Sequence, residues 1–308
     1  MYNKYMKNLS IHEIEKQFYE LYDLRACSFT DLKTMVNDTF MVSTGGKKYA
    51  LKFYHIPYRT EKEVRWELDL LLHLSTNGAP IAKPVFGKNG YLQKFILNGH
   101  ERIALLFEWA DGEKPQPCIE TYVLLGKAAG QIHRAADSFA FPKDREIYNL
   151  QLLIDEQLER MEKLLKEVKQ YDILRQLTDR LKLFVEEQTL DEGVCHMDLT
   201  LDNIHISDDT ITVFDFDSAG FSWRALEPYS VLTYKKEYFD AWLKGYRSIR
   251  SFSEADEKAV YAFAIIGEIR NVTWKLGLAN SSRGEPLLHT EDLPKVVNRW
   301  LEWEQTYL

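Results

Sequence analysis

The stretch from Val194 to Phe221 constrains this chain more than any other. It reads Val-Cys-His-Met-Asp-Leu-Thr-Leu-Asp-Asn-Ile-His-Ile, crosses a polar turn at Ser207 to Thr210, and continues Ile-Thr-Val-Phe-Asp-Phe-Asp-Ser-Ala-Gly-Phe. The pattern predicts a strand end, a loop and a second strand tipped with carboxylates. His196, Asp198 and Asn203 are spaced His-x-Asp-x-x-x-x-Asn, and Asp215 ends the next β-run. A carboxylate at Asp198 can accept a proton from a hydroxyl. The Asn203 amide oxygen can bind magnesium, and Asp215 can hold metal bridging nucleotide phosphates, with Asp217 in a second metal's shell. Phosphoryl transfer depends on positioning and charge neutralisation, which such a set supplies. Asp and Asn are also ordinary turn residues, so the argument rests on the ordered set rather than on any one of them. His196 is expected to brace the loop by hydrogen bonding, because Asp198 already fills the place of a base.

At 308 residues and 45% hydrophobic content, the chain can bury a large core and is long for one compact unit. Its opening residues are too polar for a signal peptide, and no apolar run approaches a membrane span. Cys27, Cys118 and Cys195 show no metal-ligand spacing, so a cytoplasmic location is expected. Cys195, in a β-run, reads as a buried apolar residue. The net charge of -8 argues against general nucleic-acid binding and favours cationic ligands.

In chain order, Leu9 to Asp23 has helical periodicity after a candidate cap at Ser10. Cys27 to Leu32, Thr39 to Ser43 and Lys48 to His55 read as antiparallel strands, the last two joined at Thr44-Gly45-Gly46. Lys52 interrupts an apolar strand, which suits either an exposed lysine or a phosphate ligand. Arg59 to Ser75 reads as a helix, and a glutamate on it can pair with that lysine. Glu67, beside the densest apolar stretch, is the candidate, with Glu63 one turn earlier as the fallback. Three further strands are expected at Lys83 to Gly87, Tyr91 to Leu97 and Arg102 to Trp109, with turns at Asn89-Gly90 and Asn98-Gly99. The composition breaks at Ala110-Asp111-Gly112-Glu113-Lys114-Pro115. A boundary there gives residues 1–110 as an N-terminal nucleotide-binding lobe and 111–308 as a C-terminal catalytic and substrate-binding lobe.

The remainder reads as mostly helical: Ile119 to Ala136, two amphipathic helices within Leu150 to Gln188, then Ser222 to Tyr246, Ser253 to Leu278 and Glu291 to Glu304. Asn280 to Thr290 reads as a polar loop. His133 is expected to be buried rather than a ligand. Glu268, Arg270, Asn271 and Trp274 mix aromatic and polar character on a late helix, which fits either core packing or an acceptor pocket.

The order of Lys52, Glu67, Leu105-Leu106-Phe107-Glu108-Trp109-Ala110-Asp111-Gly112, the His196 to Asn203 motif and Asp215-Phe216-Asp217 resembles the aminoglycoside phosphotransferase and choline kinase superfamily, which includes type II homoserine kinases. The resemblance runs from about Asp31 to Trp274. It implies an α+β, bilobal protein-kinase-like fold: a small antiparallel β-sheet N-lobe with one helix, and a larger, mainly helical C-lobe. It further implies that Glu108 and Ala110 offer backbone groups to the nucleotide base, that Phe214 packs on it, and that His205 takes a floor position usually held by an apolar residue. Met35-Val36-Asn37-Asp38-Thr39 stands where protein kinases carry a Gly-rich loop, and no Ala-Pro-Glu segment follows Asp215. Glu227 stands where the family often has aspartate.

These readings converge on a kinase using ATP or GTP and magnesium to phosphorylate a hydroxyl of a cationic small molecule, as monomer or homodimer. No nucleic acid or membrane partner is expected. Asp202, Glu268, Arg270 and Trp274 are the acceptor-side candidates. An amine-bearing antibiotic, aminoglycoside-like or peptidic, is favoured by the acidity of the chain. A homoserine- or choline-like amino alcohol and a stress-response protein kinase remain as alternatives.

Overall fold

The computed structural model describes residues 9–34, 36–55, 59–140, 145–167, 170–278 and 288–308. Met35 and most of the loop expected at Asn280 to Thr290 therefore lie outside the described residues.

The N-terminal part is a five-stranded antiparallel sheet between two helices. In chain order it contains α1 (Ile11–Leu21), β1 (Ser28–Asp31), β2 (Asp38–Thr44), β3 (Lys47–Phe53), α2 (Glu61–Thr76), β4 (Gln93–Leu97) and β5 (His100–Glu108), with sheet order β1-β2-β3-β5-β4. Ser10 caps α1, accepting the Glu13 N–H at 3.4 Å. Its apolar stripe packs Ile14 and Phe18 on Val42, Leu51, Phe53, Phe95 and Leu106. On the opposite face, Val64 and Leu68 of α2 meet Tyr54, Ile103 and Leu105. Side chains alternate along a strand, so Lys52 faces away from Leu51 and Phe53, toward the α2 side. Helix α1 is the lead-in helix that the periodicity after Ser10 predicted.

The β4–β5 turn is as predicted, with Asn98 and Gly99 both at positive φ (52° and 77°), as a two-residue hairpin of this type requires. The expected strand at Lys83 to Gly87 does not form. That segment makes only isolated bridges, Pro84 to Phe107 and Gly87 to Gly90. Pro84 has no N–H for a ladder, and the neighbouring Val85 donates once, to Leu106, at 2.7 Å.

The C-terminal part contains α3 (Ile119–Ala136), α4 (Glu156–Glu167), α5 (Tyr171–Glu186), β6 (Glu192–Cys195), β7 (Ile204–Ser207), β8 (Thr210–Val213), β9 (Gly220–Trp223), α6 (Tyr229–Tyr234), α7 (Lys236–Arg247), α8 (Glu254–Leu278) and α9 (Leu293–Tyr307). Gly126 and Gly245 let α3 and α7 touch backbone to backbone; a Cβ on either would strike a carbonyl of the other helix. Helix α8 starts with reciprocal Ser253 and Asp256 bonds, and its middle is buried on all sides. No helix among the described residues is long and apolar enough to cross a membrane.

The helix expected from Ser222 to Tyr246 forms over most of its length as α6 and α7, but its first residues do not join it: there the chain pairs β9 with β6, with Val194 opposite Phe221. It then turns through Arg224–Leu226, and Pro228 separates that turn from α6. The aromatic residues Phe221 and Trp223 suit a pleated ladder, and proline cannot extend a preceding helix. The consequence is functional. The β6–β9 and β7–β8 pairs fix both ends of the segment carrying His196, Asp198, Asn203 and Asp215.

Candidate active site

His196 is buried at the end of β6. Its Nδ1 accepts the Asp198 N–H at 3.3 Å, which makes Nε2 the protonated nitrogen, donating to the Phe214 carbonyl at 3.0 Å. Both ring nitrogens are therefore structural, as the spacing predicted. Glu227 braces the same loop from below, accepting the His196 N–H at 2.7 Å and the Met197 N–H at 3.0 Å. Burial works to raise its pKa, but hydrogen bonds from His133 and the loop backbone hold it below the usual range. His133 is fully buried, between Glu227 at 3.3 Å and the Tyr246 hydroxyl at 2.9 Å. Burial lowers its pKa and keeps it neutral. His133, Cys195 and Glu227 bring three metal-type donor atoms within 4.8 Å, but both Glu227 oxygens already accept N–H groups.

Asp198 opens into a cavity of about 670 Å³ between the sheet and the helical part. The cavity walls partly desolvate it and raise its pKa, against the opposing pull of His196 and the Asn203 hydrogen bond. Asn203 uses its amide nitrogen on the Asp198 carbonyl (2.8 Å) and carboxylate (2.9 Å), which leaves the amide oxygen uncommitted to that pair. Asp215 lines the same cavity and has left-handed backbone (φ 64°), a conformation uncommon outside glycine. An amide oxygen and a carboxylate are the hard donors that magnesium takes, so Asn203 and Asp215 fit such an ion.

Lys52 reaches this group from β3. Its Nζ lies 2.7 Å from Asp215 Oδ1, 3.6 Å from Glu67 Oε1 and 4.6 Å above the Tyr54 ring. Burial disfavours its charge, but Asp215 and Glu67 outweigh that and raise its pKa. Glu67 is itself raised by complete burial, partly offset by Lys52, and accepts the Tyr54 hydroxyl at 2.8 Å. The fallback, Glu63, is employed elsewhere: it caps α2 through Thr60 and pairs with Arg59 at 3.5 Å.

Asp217 lines the same cavity, and both of its oxygens are bonded to protein groups. Its Oδ1 accepts Arg59 Nε at 2.9 Å and its Oδ2 accepts Asn37 Nδ2 at 3.0 Å. Burial opposes ionisation, but Lys52 and Arg59 hold its pKa at about 2. With both oxygens bonded to protein, Asp217 acts as a clamp between the two halves. Arg145 adds to that clamp by donating to the Asp217 and Ala219 carbonyls.

At the other end of the cavity, Glu108, Ala110, His205 and Phe214 line the wall. The Glu108 N–H donates to Lys83 and the Trp109 N–H to Lys48, while the Ala110 N–H has no partner among the described residues. His205 Nδ1 bonds the Ala110 carbonyl at 2.7 Å, and its ring lies 5.1 Å from Phe214. The polar histidine thus ties the floor to the connecting strand.

On the acceptor side, Arg270 and Trp274 line the cavity together with Asn271 and Tyr229. Asp202 also lines it and pairs with Lys114. Glu268 does not belong there. It faces α9, accepting Trp300 Nε1 at 2.6 Å and pairing with Arg299 at 2.6 Å. Half a turn along a helix separates inward from outward faces, and nothing local in the sequence fixes that phase. Tyr229, Asn37, Arg59 and Tyr54 were not anticipated. Tyr229 had a visible signal, the Leu-Glu-Pro-Tyr run, but its ring is placed by α8. It packs against Gly267, where a Cβ would come within 2.5 Å, and its hydroxyl accepts Asn271 Nδ2 at 3.3 Å.

The chain matches a family described as the phosphotransferase enzyme family over residues 33–262. It belongs to that family. It is accordingly a small-molecule kinase, a phosphotransferase acting on an alcohol group. It is 26% identical over 220 residues to the amicoumacin kinase of Bacillus subtilis (strain 168), covering 64% of this chain and 65% of that protein. Among solved structures it is similar to the amicoumacin kinase hAmiN in complex with AMP-PNP and Ca2+, with TM-score 0.76, 21% identity, and coverage of 96% and 94%. It is also similar to a microcompartment-associated aminopropanol kinase, with TM-score 0.73, 22% identity, and coverage of 94% of each chain. These structural likenesses carry the bilobal kinase-like fold.

Proposed function

We propose that this phosphotransferase moves the γ-phosphate of ATP or GTP to a hydroxyl of a compact, amine-bearing small molecule, with magnesium as the cation. One observation carries the reading: Lys52, Asp198, Asn203 and Asp215 reach a single cavity from separate elements. In this reading residues 1–110 bind the nucleotide and residues 111–308 supply catalysis and acceptor binding. The Ala110 N–H and the Phe214 face receive the base. Lys52, held by Glu67, exchanges its contact with Asp215 for the phosphates. Asn203 and Asp215 hold magnesium, which neutralises charge on the phosphates when bound. Asp198 orients the acceptor hydroxyl and takes its proton, and Asn203 keeps the carboxylate in place.

The acceptor class follows from chemistry at the other wall. Asp198 and Asp202 supply negative charge, and the rings of Tyr229 and Trp274 suit an organic cation. The cavity must take the nucleotide as well as the acceptor, which favours a small amine-bearing alcohol over a bulky one. A second reading, inactivation of an amine-bearing antibiotic, is supported by the likeness to amicoumacin kinases.

The test is ADP or GDP release with magnesium against a panel of amino alcohols, homoserine, choline, aminoglycosides and peptidic antibiotics. Acceptor-dependent release that disappears in Asp198→Ala is the expected result. Nucleotide binding without release for any acceptor would remove the proposal.

A further inference from the structure

Arg270 is out of keeping with the other enclosed arginines, each of which holds a carboxylate or, for Arg145 over the Trp66 ring, the Asp217 and Ala219 carbonyls. Arg59 pairs with Glu63, Glu146 and Asp217, and Arg224 with Asp137 and Asp191. Arg102 pairs with Asp38 and Arg250 with Asp191. Arg270 is half-buried on α8, and no described carboxylate lies within ion-pair distance of it. Its guanidinium lies 5.0 Å over the Tyr148 ring, and the residue lines the cavity beside Asp198, Tyr229 and Ser230. Arg270 thus shares the cavity with Asp198, the carboxylate proposed to receive the acceptor.

A partly desolvated guanidinium is unfavourable without an anionic partner, and its planar fork of donors matches a carboxylate. The contact with the Tyr148 ring leaves the N–H donors of the fork unused. The phosphates have their own cation in Lys52, which enters from the sheet. Arg270 enters from α8, on the wall shared with Trp274 one turn later.

We infer that Arg270 binds a carboxylate on the acceptor, so that the preferred acceptor is a hydroxy amino acid rather than a plain amino alcohol. This rests on the kinase reading above and specifies its substrate class. Arg270 is then the residue that sets specificity, gripping the acid while Asp198 receives the hydroxyl.

Two acceptor pairs that differ only by a carboxylate test this: L-homoserine against 3-aminopropan-1-ol, and L-threonine against 1-aminopropan-2-ol. Magnesium-dependent ADP release is followed for wild type, Arg270→Met and Arg270→Lys. The expected result is that the acid member of a pair has the higher kcat/KM. Arg270→Met should raise its KM by roughly 10- to 100-fold, the range for charge-assisted bonds, and raise that of the matching amino alcohol far less. Arg270→Lys should restore part of the loss. Wild-type preference for the amino alcohols overturns the inference and leaves the kinase reading standing. So does an equal loss on both members of a pair, which would place Arg270 on the phosphates. Silence from all four overturns the hydroxy amino acid assignment; the kinase reading falls only if the broader acceptor panel is silent too.

Discussion

The two walls of the cavity are built on opposite electrostatic plans. On the phosphate side each charged group has a partner within the protein: Lys52 with Asp215 and Glu67, and Arg59 with Asp217. On the acceptor side, among the described residues, Arg270 has only an aromatic neighbour, and Tyr229 is held by a single long bond from Asn271. Matched charges keep the machinery in register before any ligand arrives. Unmatched ones are left for the ligand to complete, and substrate choice resides there.

The largest effect that would break this contrast comes from Asp198. Asp198→Ala should lower kcat by about 10³-fold, within the range for a positioned base. Nucleotide affinity should change little, because Lys52, Glu67 and Asp215 remain paired. Turnover and equilibrium nucleotide binding, measured on the same preparation, decide it. Parallel losses in both would mean that Asp198 belongs to the matched framework and not to the chemistry.

Next in size is Lys52→Met. It leaves Glu67, whose side chain is 1% exposed, with only the Tyr54 hydroxyl. Stranding a buried carboxylate costs about 3 kcal/mol, moderated because Glu67, already raised by burial, can take up a proton. Denaturant unfolding should show that loss in Lys52→Met and recover much of it in Lys52→Met combined with Glu67→Leu. No recovery in the double variant would mean that the two residues do not act as a pair.

The same contrast explains what was legible in the sequence. The phosphate side is encoded locally: His196 to Asp217 is one continuous loop–hairpin–loop, so its spacing alone picked out His196, Asp198, Asn203 and Asp215 as neighbours. Lys52 and Glu67 followed from strand and helix phase. The acceptor wall is assembled from α6, α8 and the segment at Tyr148, and nothing local announces which face of α8 turns inward. Glu268 and Arg270 are two positions apart, yet one faces Trp300 and the other the cavity. The partners of Asp217 were hidden for a related reason. Asn37 and Arg59 are 180 and 158 residues away, a separation at which local pattern carries no information. Proline at 84 and 228 explains the missing strand and the broken helix, where hydrophobic pattern was followed and backbone donors were not counted.

A smaller perturbation sharpens the acceptor side alone. In Gly267→Ala the new Cβ would meet the Tyr229 ring at 2.5 to 2.7 Å, so the ring must move. Overpacking of this kind costs roughly 1–3 kcal/mol. Because Tyr229 lines the acceptor region, the acceptor KM should rise by roughly tenfold while the nucleotide KM holds. A rise in both would show that the two walls are mechanically coupled.

The smallest effect is a pH dependence of stability beneath the loop. His133 is buried and neutral, with its folded pKa below the ordinary 6.5. Above that value neither state binds its proton and stability is unaffected. As pH falls below about 6.5 the unfolded chain takes up a proton that the folded one refuses. Stability then declines by up to ~1.4 kcal/mol per pH unit until the folded pKa is reached. Glu227, whose folded pKa is lowered, adds its own loss only when pH drops below its ordinary 4.5. The curve should therefore bend twice, first from the histidine and then from the carboxylate. His133→Gln keeps a donor for Glu227 but cannot titrate, so its unfolding midpoints should stay flat between pH 6.5 and 5 where wild type falls. Parallel curves for the two proteins would mean that the brace under Met197 carries no buried neutral imidazole.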